Sequence, residues 1–289
     1  MTRPEEDAIT QAVIAQFAQT ADPRLKTVVT ELTRALHGFV QTVEPTFDEW
    51  LAAINFLTEV GQTCTGSRQE FILLSDTLGV SMLVDAVNHR RSQGATESTV
   101  LGPFFVDSAP KLADGADIAP GEAGEPLYVE ASISDIEGRP ISGAVVDVWQ
   151  SDADGLYDVQ RQDLDEHVLR ARLATGPDGK VRFWSILPTP YPIPDDGPVG
   201  RMLEATGRHP WRPAHLHFRI TAEGHQPLVT HLFVRDSAYL DTDAVFGVKE
   251  TLICDFAHHP AGTTPTGKVM DRPWRSLSHA FKLSKVQTR

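Results

Sequence analysis

Apolar and polar residues recur with two different periods along this chain, and the change of period divides it. From Leu25 to Val43 the apolar positions Val28, Val29, Leu32, Leu36, Phe39 and Val40 return at steps of three and four, one stripe of an amphipathic helix. A second such stretch opens at Thr46, a residue type suited to an N-cap, and runs through Trp50, Leu51, Ile54 and Leu57. A third spans roughly Arg68 to Arg90, with Gly79 placed to kink or divide it. Near Gly102 the pattern breaks. The run APKLADGADIAPGEAGEP has neither period and reads as a surface connection between two halves. Beyond it the period is two: Leu127, Val129, Ala131 and Ile133 alternate with Tyr128, Glu130 and Ser132. Further strand-like runs cover Ala144–Trp149, Val181–Trp184, His215–Ile220 and Leu228–Val234, separated by turns such as GPDGK. The pattern predicts an α+β chain, with a helical linking or dimerisation region over residues 1–104 and an all-β sandwich over residues 105–289.

Composition narrows the class. The chain has 289 residues and a net charge of -13, from 26 Lys plus Arg against 39 Asp plus Glu. That balance argues against a phosphate-backbone partner, which Lys and Arg would have to neutralise. No apolar run approaches the ~20 residues of a membrane helix, and the acidic start MTRPEEDAIT does not read as a secretory signal. The two cysteines, Cys64 and Cys254, sit in apolar contexts typical of buried reduced thiols. A cytoplasmic protein with neither a nucleic-acid nor a membrane partner is expected.

Candidate chemistry concentrates in the second half. In Arg212-Pro213-Ala214-His215-Leu216-His217-Phe218-Arg219-Ile220, strand alternation projects His215 and His217 from one face, with Leu216, Phe218 and Ile220 on the other. Two imidazoles on one rigid strand are suited to one metal ion. A polar outer face is the structural alternative. The chain has 4 tyrosines, two of them in unusual settings. Tyr157 lies in the loop Asp152-Ala153-Asp154-Gly155-Leu156-Tyr157-Asp158, after the strand ending VVDVWQ. Tyr191 lies in Leu187-Pro188-Thr189-Pro190-Tyr191-Pro192-Ile193-Pro194, where four prolines restrict the backbone around the phenol. Each tyrosine taken alone admits a packing role. Histidines 37, 89, 167, 209, 225, 258, 259 and 279 form no constellation, and His258-His259 reads as a solvated polar loop.

Taken together, a tyrosine in a DGxYD-like loop, a tyrosine in a Pro-rich loop and the run from Arg212 to His217 resemble the intradiol ring-cleavage dioxygenases. These are non-haem Fe(III) enzymes, and the resemblance extends over nearly the whole chain. It implies Tyr157, Tyr191, His215 and His217 as the ligands of one Fe(III) per subunit, with Tyr191 giving way when an aromatic diol binds. Phenolates are hard donors that favour ferric iron, and neutral imidazoles complete the site without over-charging it. The displaced Tyr191 then serves as a base for a substrate proton. Arg212, three residues before His215, would stabilise negative charge on the reacting ring, with a surface ion pair to a nearby carboxylate as the alternative.

The segment Ile72–Gly79 and the segment Ala95–Phe105 resemble the branch of that family that cleaves hydroxyquinol (benzene-1,2,4-triol). The resemblance implies a ring pocket walled by Leu73, Asp76, Val100, Leu101, Gly102, Pro103 and Phe104, with Ile193, Pro194 and Val245 at further positions. A carboxylate in an apolar pocket needs a partner, and a third ring hydroxyl supplies one for Asp76; a neighbouring backbone or Arg group is the alternative. His231 stands beside the metal where catechol enzymes of the family carry glutamine. The family also implies homodimers joined through the N-terminal helices, whose apolar stripes exceed what one sandwich face would cover, and a phospholipid in an apolar tunnel. Three other readings stay open: a catechol or chlorocatechol enzyme with the same centre, a non-catalytic sandwich that binds a ligand, and an Fe(II) or Zn(II) site of two histidines and a carboxylate with structural tyrosines.

Overall fold

The computed structural model describes residues 4–66, 68–89, 93–161, 164 and 166–286. Arg90, where the third predicted helix was expected to end, lies outside the described residues. The backbone divides into two compact units, Met1–Glu59 and Val60–Arg289.

The first unit is helical, with α1 (Pro4–Gln16), α2 (Pro23–Val43) and most of α3 (Phe47–Thr63). Helix α2 starts where the Asp22 carboxylate accepts hydrogen bonds from the backbone of Arg24 and Leu25, with Pro23 in the first turn. Thr46 caps α3 as its sequence predicts: the Glu49 N–H donates to Thr46 Oγ1 at 3.2 Å, and the Thr46 N–H donates to the Glu49 carboxylate at 2.7 Å. The predicted stripe of α2 is present but uncovered, with Leu32, Leu36, Phe39 and Val40 all exposed. Helix α1 has no apolar stripe and buries none of its residues, so periodicity does not single it out.

In the second unit the third helical stretch is divided at Gly79 into α4 (Glu70–Thr77) and α5 (Val80–Asn88). The strands follow in chain order. They are β1 (Ala116–Asp117), β2 (Pro126–Asp135), β3 (Val145–Trp149), β4 (Arg170–Ala174), β5 (Lys180–Ile186), β6 (Tyr191–Pro192) and β7 (Trp211–Arg212), then β8 (His215–Thr221), β9 (Leu228–Val234), β10 (Ile253–Cys254), β11 (Ala257–His259), β12 (Gly262–Thr263), β13 (Val269–Met270) and β14 (Trp274–Leu283). One five-stranded sheet has the order β1-β5-β2-β14-β11, the other β10-β9-β8-β3-β4. Their apolar faces form one core, in which Val129 and Ile133 of β2, Val146 and Val148 of β3 and Phe281 of β14 join Leu216, Phe218 and Ile220 of β8.

The sequence and the structure part company at several places. The stretch from Ala109 to Pro126 is not simply a surface connection: it contributes β1, and Ile118 within it is buried in the core. A further helix, α6 (Pro198–Ala205), interrupts the strands. Cys254 is buried as expected, whereas Cys64 is only half-buried. His258 and His259 belong to β11 rather than a loop; His258 is exposed as expected, while the His259 ring stacks on Trp274 at 4.1 Å and bonds Ser276 at 2.8 Å.

Candidate metal centre

Strand β8 supplies the floor of the site. Its pleat sends Leu216, Phe218 and Ile220 into the core and turns His215 and His217 to the opposite face, where each is 1% exposed. That face is covered by loops, which is why two imidazoles on an outer face are nonetheless buried. The loop after β3 brings Tyr157 over the pair, and the Pro-rich segment after β5 places Tyr191 at the start of β6. Gly155 allows the two tyrosine loops to meet. Its φ is +85°, and a Cβ there would lie 2.8 Å from the Cβ of Tyr191.

Four donor atoms converge above β8. Tyr157 Oη lies 2.8 Å from His217 Nε2 and 3.2 Å from Tyr191 Oη, and the two Nε2 atoms of His215 and His217 are 3.1 Å apart. The Nδ1–H of His215 donates to the Pro213 carbonyl at 2.7 Å, which leaves its Nε2 lone pair facing inward. Trp149 stacks on His217 at 4.6 Å and Phe104 stacks on Tyr157 at 4.4 Å, so both rings are clamped in place.

Burial sets the charge states. It lowers His215 to about 3 and pushes His217 and His231 well below the usual imidazole range, with Arg212 and the neighbouring imidazoles reinforcing the effect. All three rings are therefore neutral and free to donate lone pairs at neutral pH. The Tyr157 phenol is pushed well above 10 by burial and by Tyr191, against the opposing pull of Arg212 and Arg170. A cation among the four atoms would supply the charge that phenolate formation lacks. The donor set thus fits a metal ion: two phenol oxygens and two neutral imidazoles, buried and aimed at one point.

His231 of β9 packs beside the pair, its ring centroid 4.8 Å from that of His215 and 4.2 Å from that of His217. One nitrogen from each of His215, His217 and His231 lies within 4.8 Å of the others. Arg212 is buried as well, 3% exposed. It does make an ion pair, but inside the protein: Nε donates to Asp243 Oδ1 at 3.0 Å and Nη2 to Asp243 Oδ2 at 3.3 Å, while Nη1 faces Tyr191 Oη at 3.3 Å. Burial works against the Arg212 charge, but Asp243 and the two phenols hold it above its ordinary value, permanently protonated.

A cavity of about 630 Å³ adjoins the centre, and Leu73, Asp76, Gly102, Pro103, Phe104 and Pro194 are among its lining residues. Two of these touch the donors directly. Phe104 stacks on Tyr157, and Gly102, at φ +77°, lies so close that a Cβ would sit 3.3 Å from His217 Cε1. The other expected wall residues stand outside this lining. Ile193 and Val245 are buried, Val100 is half-buried next to the chain leading to Gly102, and Leu101 is 39% exposed. Asp76 is 6% exposed, and burial raises its carboxyl against the Ser81 hydroxyl and the Arg212 charge.

Sequence reading did not single out two ion pairs that frame the site. Asp243 grips Arg212, as above. Arg170, 2% exposed, bonds the Asp158 carboxylate next to Tyr157 and donates to the Phe104 carbonyl at 3.0 Å, tying the Tyr157 loop to the cavity wall. The turn around Asp243 carries no period, and Arg170 sits in a five-residue strand whose core face is only Ala171 and Leu173, too short to stand out.

Family models match most of this chain: one described as the catechol dioxygenase N terminus over residues 22–96, and one described as dioxygenase over residues 100–283. The hydroxyquinol 1,2-dioxygenase of Nocardioides simplex is 52% identical over 93% of this chain and 92% of its own. The 6-chlorohydroxyquinol 1,2-dioxygenase of Cupriavidus pinatubonensis is 52% identical over 91% and 95%. The crystal structure of hydroxyquinol 1,2-dioxygenase from Pseudomonas putida DLL-E4 superposes with a TM-score of 0.92 at 47% identity, covering 97% of this chain and 99% of that one. Two family models in tandem, relatives matched nearly end to end and a shared fold leave one assignment: the chain belongs to the intradiol ring-cleavage dioxygenases.

Proposed function

We propose that this chain uses Fe(III), one ion per subunit, to cleave hydroxyquinol with O2 between its adjacent hydroxylated carbons, giving 3-hydroxy-cis,cis-muconate, the enol form of maleylacetate. The observation that carries this reading is the buried convergence of Tyr157, Tyr191, His215 and His217 beside a cavity whose wall contains a carboxylate. These four residues would hold the ion. Ferric iron bound there supplies Lewis acidity toward the diol oxygens and primes the ring for O2.

The chain's own groups do the rest. Held as a phenolate by the ion, Tyr191 would accept a diol proton at Oη and leave as the neutral phenol, and Arg212, 3.3 Å from that oxygen, would offset the negative charge left on the diol. Gly102, Pro103 and Phe104 orient the ring and exclude water; Leu73, Val100, Leu101, Ile193, Pro194 and Val245 complete the apolar surroundings in this reading. His231 holds the space beside His215 and His217 as a neutral, polar neighbour. Asp76 accepts a hydrogen bond from the third ring hydroxyl, which catechol lacks.

Steady-state kinetics on hydroxyquinol and catechol test the substrate assignment. Hydroxyquinol is expected to have the higher kcat/KM. Asp76→Asn should lower kcat/KM for hydroxyquinol by roughly 5- to 150-fold, the equivalent of about 1–3 kcal/mol, while changing catechol little. Equal or better cleavage of catechol by the wild type would move the chain to the catechol branch.

The proposal extends to assembly and location. The N-terminal helices within residues 1–104 serve linking and dimerisation, and residues 105–289 carry the metal-holding residues and Arg212, with Leu73, Asp76, Gly102, Pro103 and Phe104 reaching the cavity from the first part. The uncovered apolar stripe of α2 favours a homodimer through the N-terminal helices, with a phospholipid along the same apolar surface. Two unpaired cysteines agree with a cytoplasmic location, and among the described residues no helix is long and apolar enough to cross a membrane.

A further inference from the structure

Asp243 faces inward from the segment between β9 and β10, 5% exposed, with no role in holding the ion. Both of its oxygens are fully engaged. Oδ1 accepts from Arg212 Nε at 3.0 Å and the Val245 N–H at 3.4 Å; Oδ2 accepts from Arg212 Nη2 at 3.3 Å and the Gly247 N–H at 2.9 Å. The turn that supplies those two amides is itself pinned. Phe246 has a φ of +59°, costly for a residue with a Cβ. Its ring lies under the Arg208 guanidinium at 5.0 Å and against Gly79. Arg208 in turn donates to the Ala244 carbonyl at 3.0 Å and to the Thr77 carbonyl at 2.6 Å, binding the turn to the end of α4.

The result is a guanidinium with one fixed orientation. Bidentate pairing occupies Nε and Nη2, so Nη1 is the group left to point at Tyr191 Oη and His215 Nε2, each 3.3 Å away. A long, flexible side chain without that pairing has several rotamers available, and most would not place a donor there. Gly247 packs against the pair, since a Cβ at that position would lie 3.1 Å from both Arg212 Nη2 and Asp243 Oδ2.

We propose that Asp243 is a positioning residue for the reaction: its carboxylate, fixed by the Val245–Gly247 turn, aims the Arg212 guanidinium at the Tyr191 hydroxyl. The proposal rests on the reading that this centre cleaves diols. It makes the arginine's direction, and not its charge alone, the quantity that the turn maintains.

The test uses the iron-loaded chain and two variants. Asp243→Asn keeps the shape and removes the charge; Gly247→Ala keeps both charges and drives a methyl group against the pair. Each is expected to retain iron and to lose roughly 10- to 100-fold in kcat, with KM within a factor of about three. In an Arg212→Ala background, Asp243→Asn should add almost nothing, because it acts through the missing arginine. A crystal structure of the metal-free Asp243→Asn chain should show the guanidinium turned from Tyr191. Wild-type kcat in Gly247→Ala and Asp243→Asn, a full additive loss in the Arg212→Ala background, or an unmoved Arg212 would overturn the proposal. If Asp243→Asn fails to bind iron, Gly247→Ala decides alone: reduced kcat at normal iron content supports positioning, and unchanged kcat contradicts it. Failure of the underlying reading looks different, since the wild type itself would then turn over no diol, and the proposal would fall with it.

Discussion

Tyr157→Phe is expected to lose both bound iron and activity while the protein stays folded. The phenol oxygen is the only atom removed, and it sits 2.8 Å from His217 Nε2 and 3.2 Å from Tyr191 Oη, at the centre of the donor set. The ring that remains still stacks on Phe104 at 4.4 Å and meets Tyr191 edge-on at 5.3 Å, so its packing is preserved. Loss of a partner that merely supports a ligand typically costs 10- to 100-fold in metal affinity, and loss of a ligand is expected to exceed about 100-fold. The metal-free variant should unfold within about 1 kcal/mol of the metal-free wild type. Iron-to-protein ratio, turnover and urea unfolding together read all three. A variant with wild-type iron content would remove Tyr157 from the ligand set.

Arg212→Ala is expected to lower kcat by roughly 10²- to 10³-fold with iron largely retained, the size seen when one preorganised charge-stabilising donor is lost. The group touches Tyr191 Oη and His215 Nε2 but is not itself a donor to a metal. Truncation also strands the Asp243 carboxylate, which burial raises but which the Arg212 charge and hydrogen bonds hold below its ordinary value. A broken buried pair costs about 3–5 kcal/mol, so the Ala variant should also melt earlier. Arg212→Lys separates the two effects: it restores charge to the pair and with it most of the stability, but it lacks the planar fork and should recover only part of the rate. Wild-type turnover in Arg212→Ala would exclude it from the mechanism.

What could be read from the sequence follows the range of the interactions. Strand alternation is local, so the opposed faces of His215-Leu216-His217-Phe218 were readable directly, and the pleat of β8 places them that way. Helix α3 announced itself through Thr46, a capping residue type ahead of the stripe Trp50, Leu51, Ile54 and Leu57. Strand β14 was missed because His279 occupies a core-facing parity between Leu277 and Phe281, where it packs on Phe281 and meets Cys254 Sγ at 3.4 Å. Strand β4 was missed because it is five residues long and its core face carries only Ala171 and Leu173, while Arg170 and Arg172 on the other face pair with carboxylates distant in sequence.

The site shows the same division. Arg212 was noticed from its distance to His215, yet its partner Asp243 lies 31 residues away and no local pattern connects the two. The expected surface ion pair lies inside the protein instead: one guanidinium pairs with Asp243 and also faces Tyr191 Oη, because it has enough donors for each. Burial of His215 and His217 depended on loops that cover an outer sheet face, which alternation within one strand does not reveal.

The visible absorption spectrum of the purified, iron-loaded chain tests the central claim most directly. Tyrosinate oxygens on Fe(III) give a broad charge-transfer band and a red to burgundy protein, and Tyr191→Phe should alter that band while leaving some iron bound. A wild-type chain that holds iron at Tyr157, Tyr191, His215 and His217 shows the band. A chain that binds iron stoichiometrically and remains colourless contradicts tyrosinate ligation, and with it the account given of this centre.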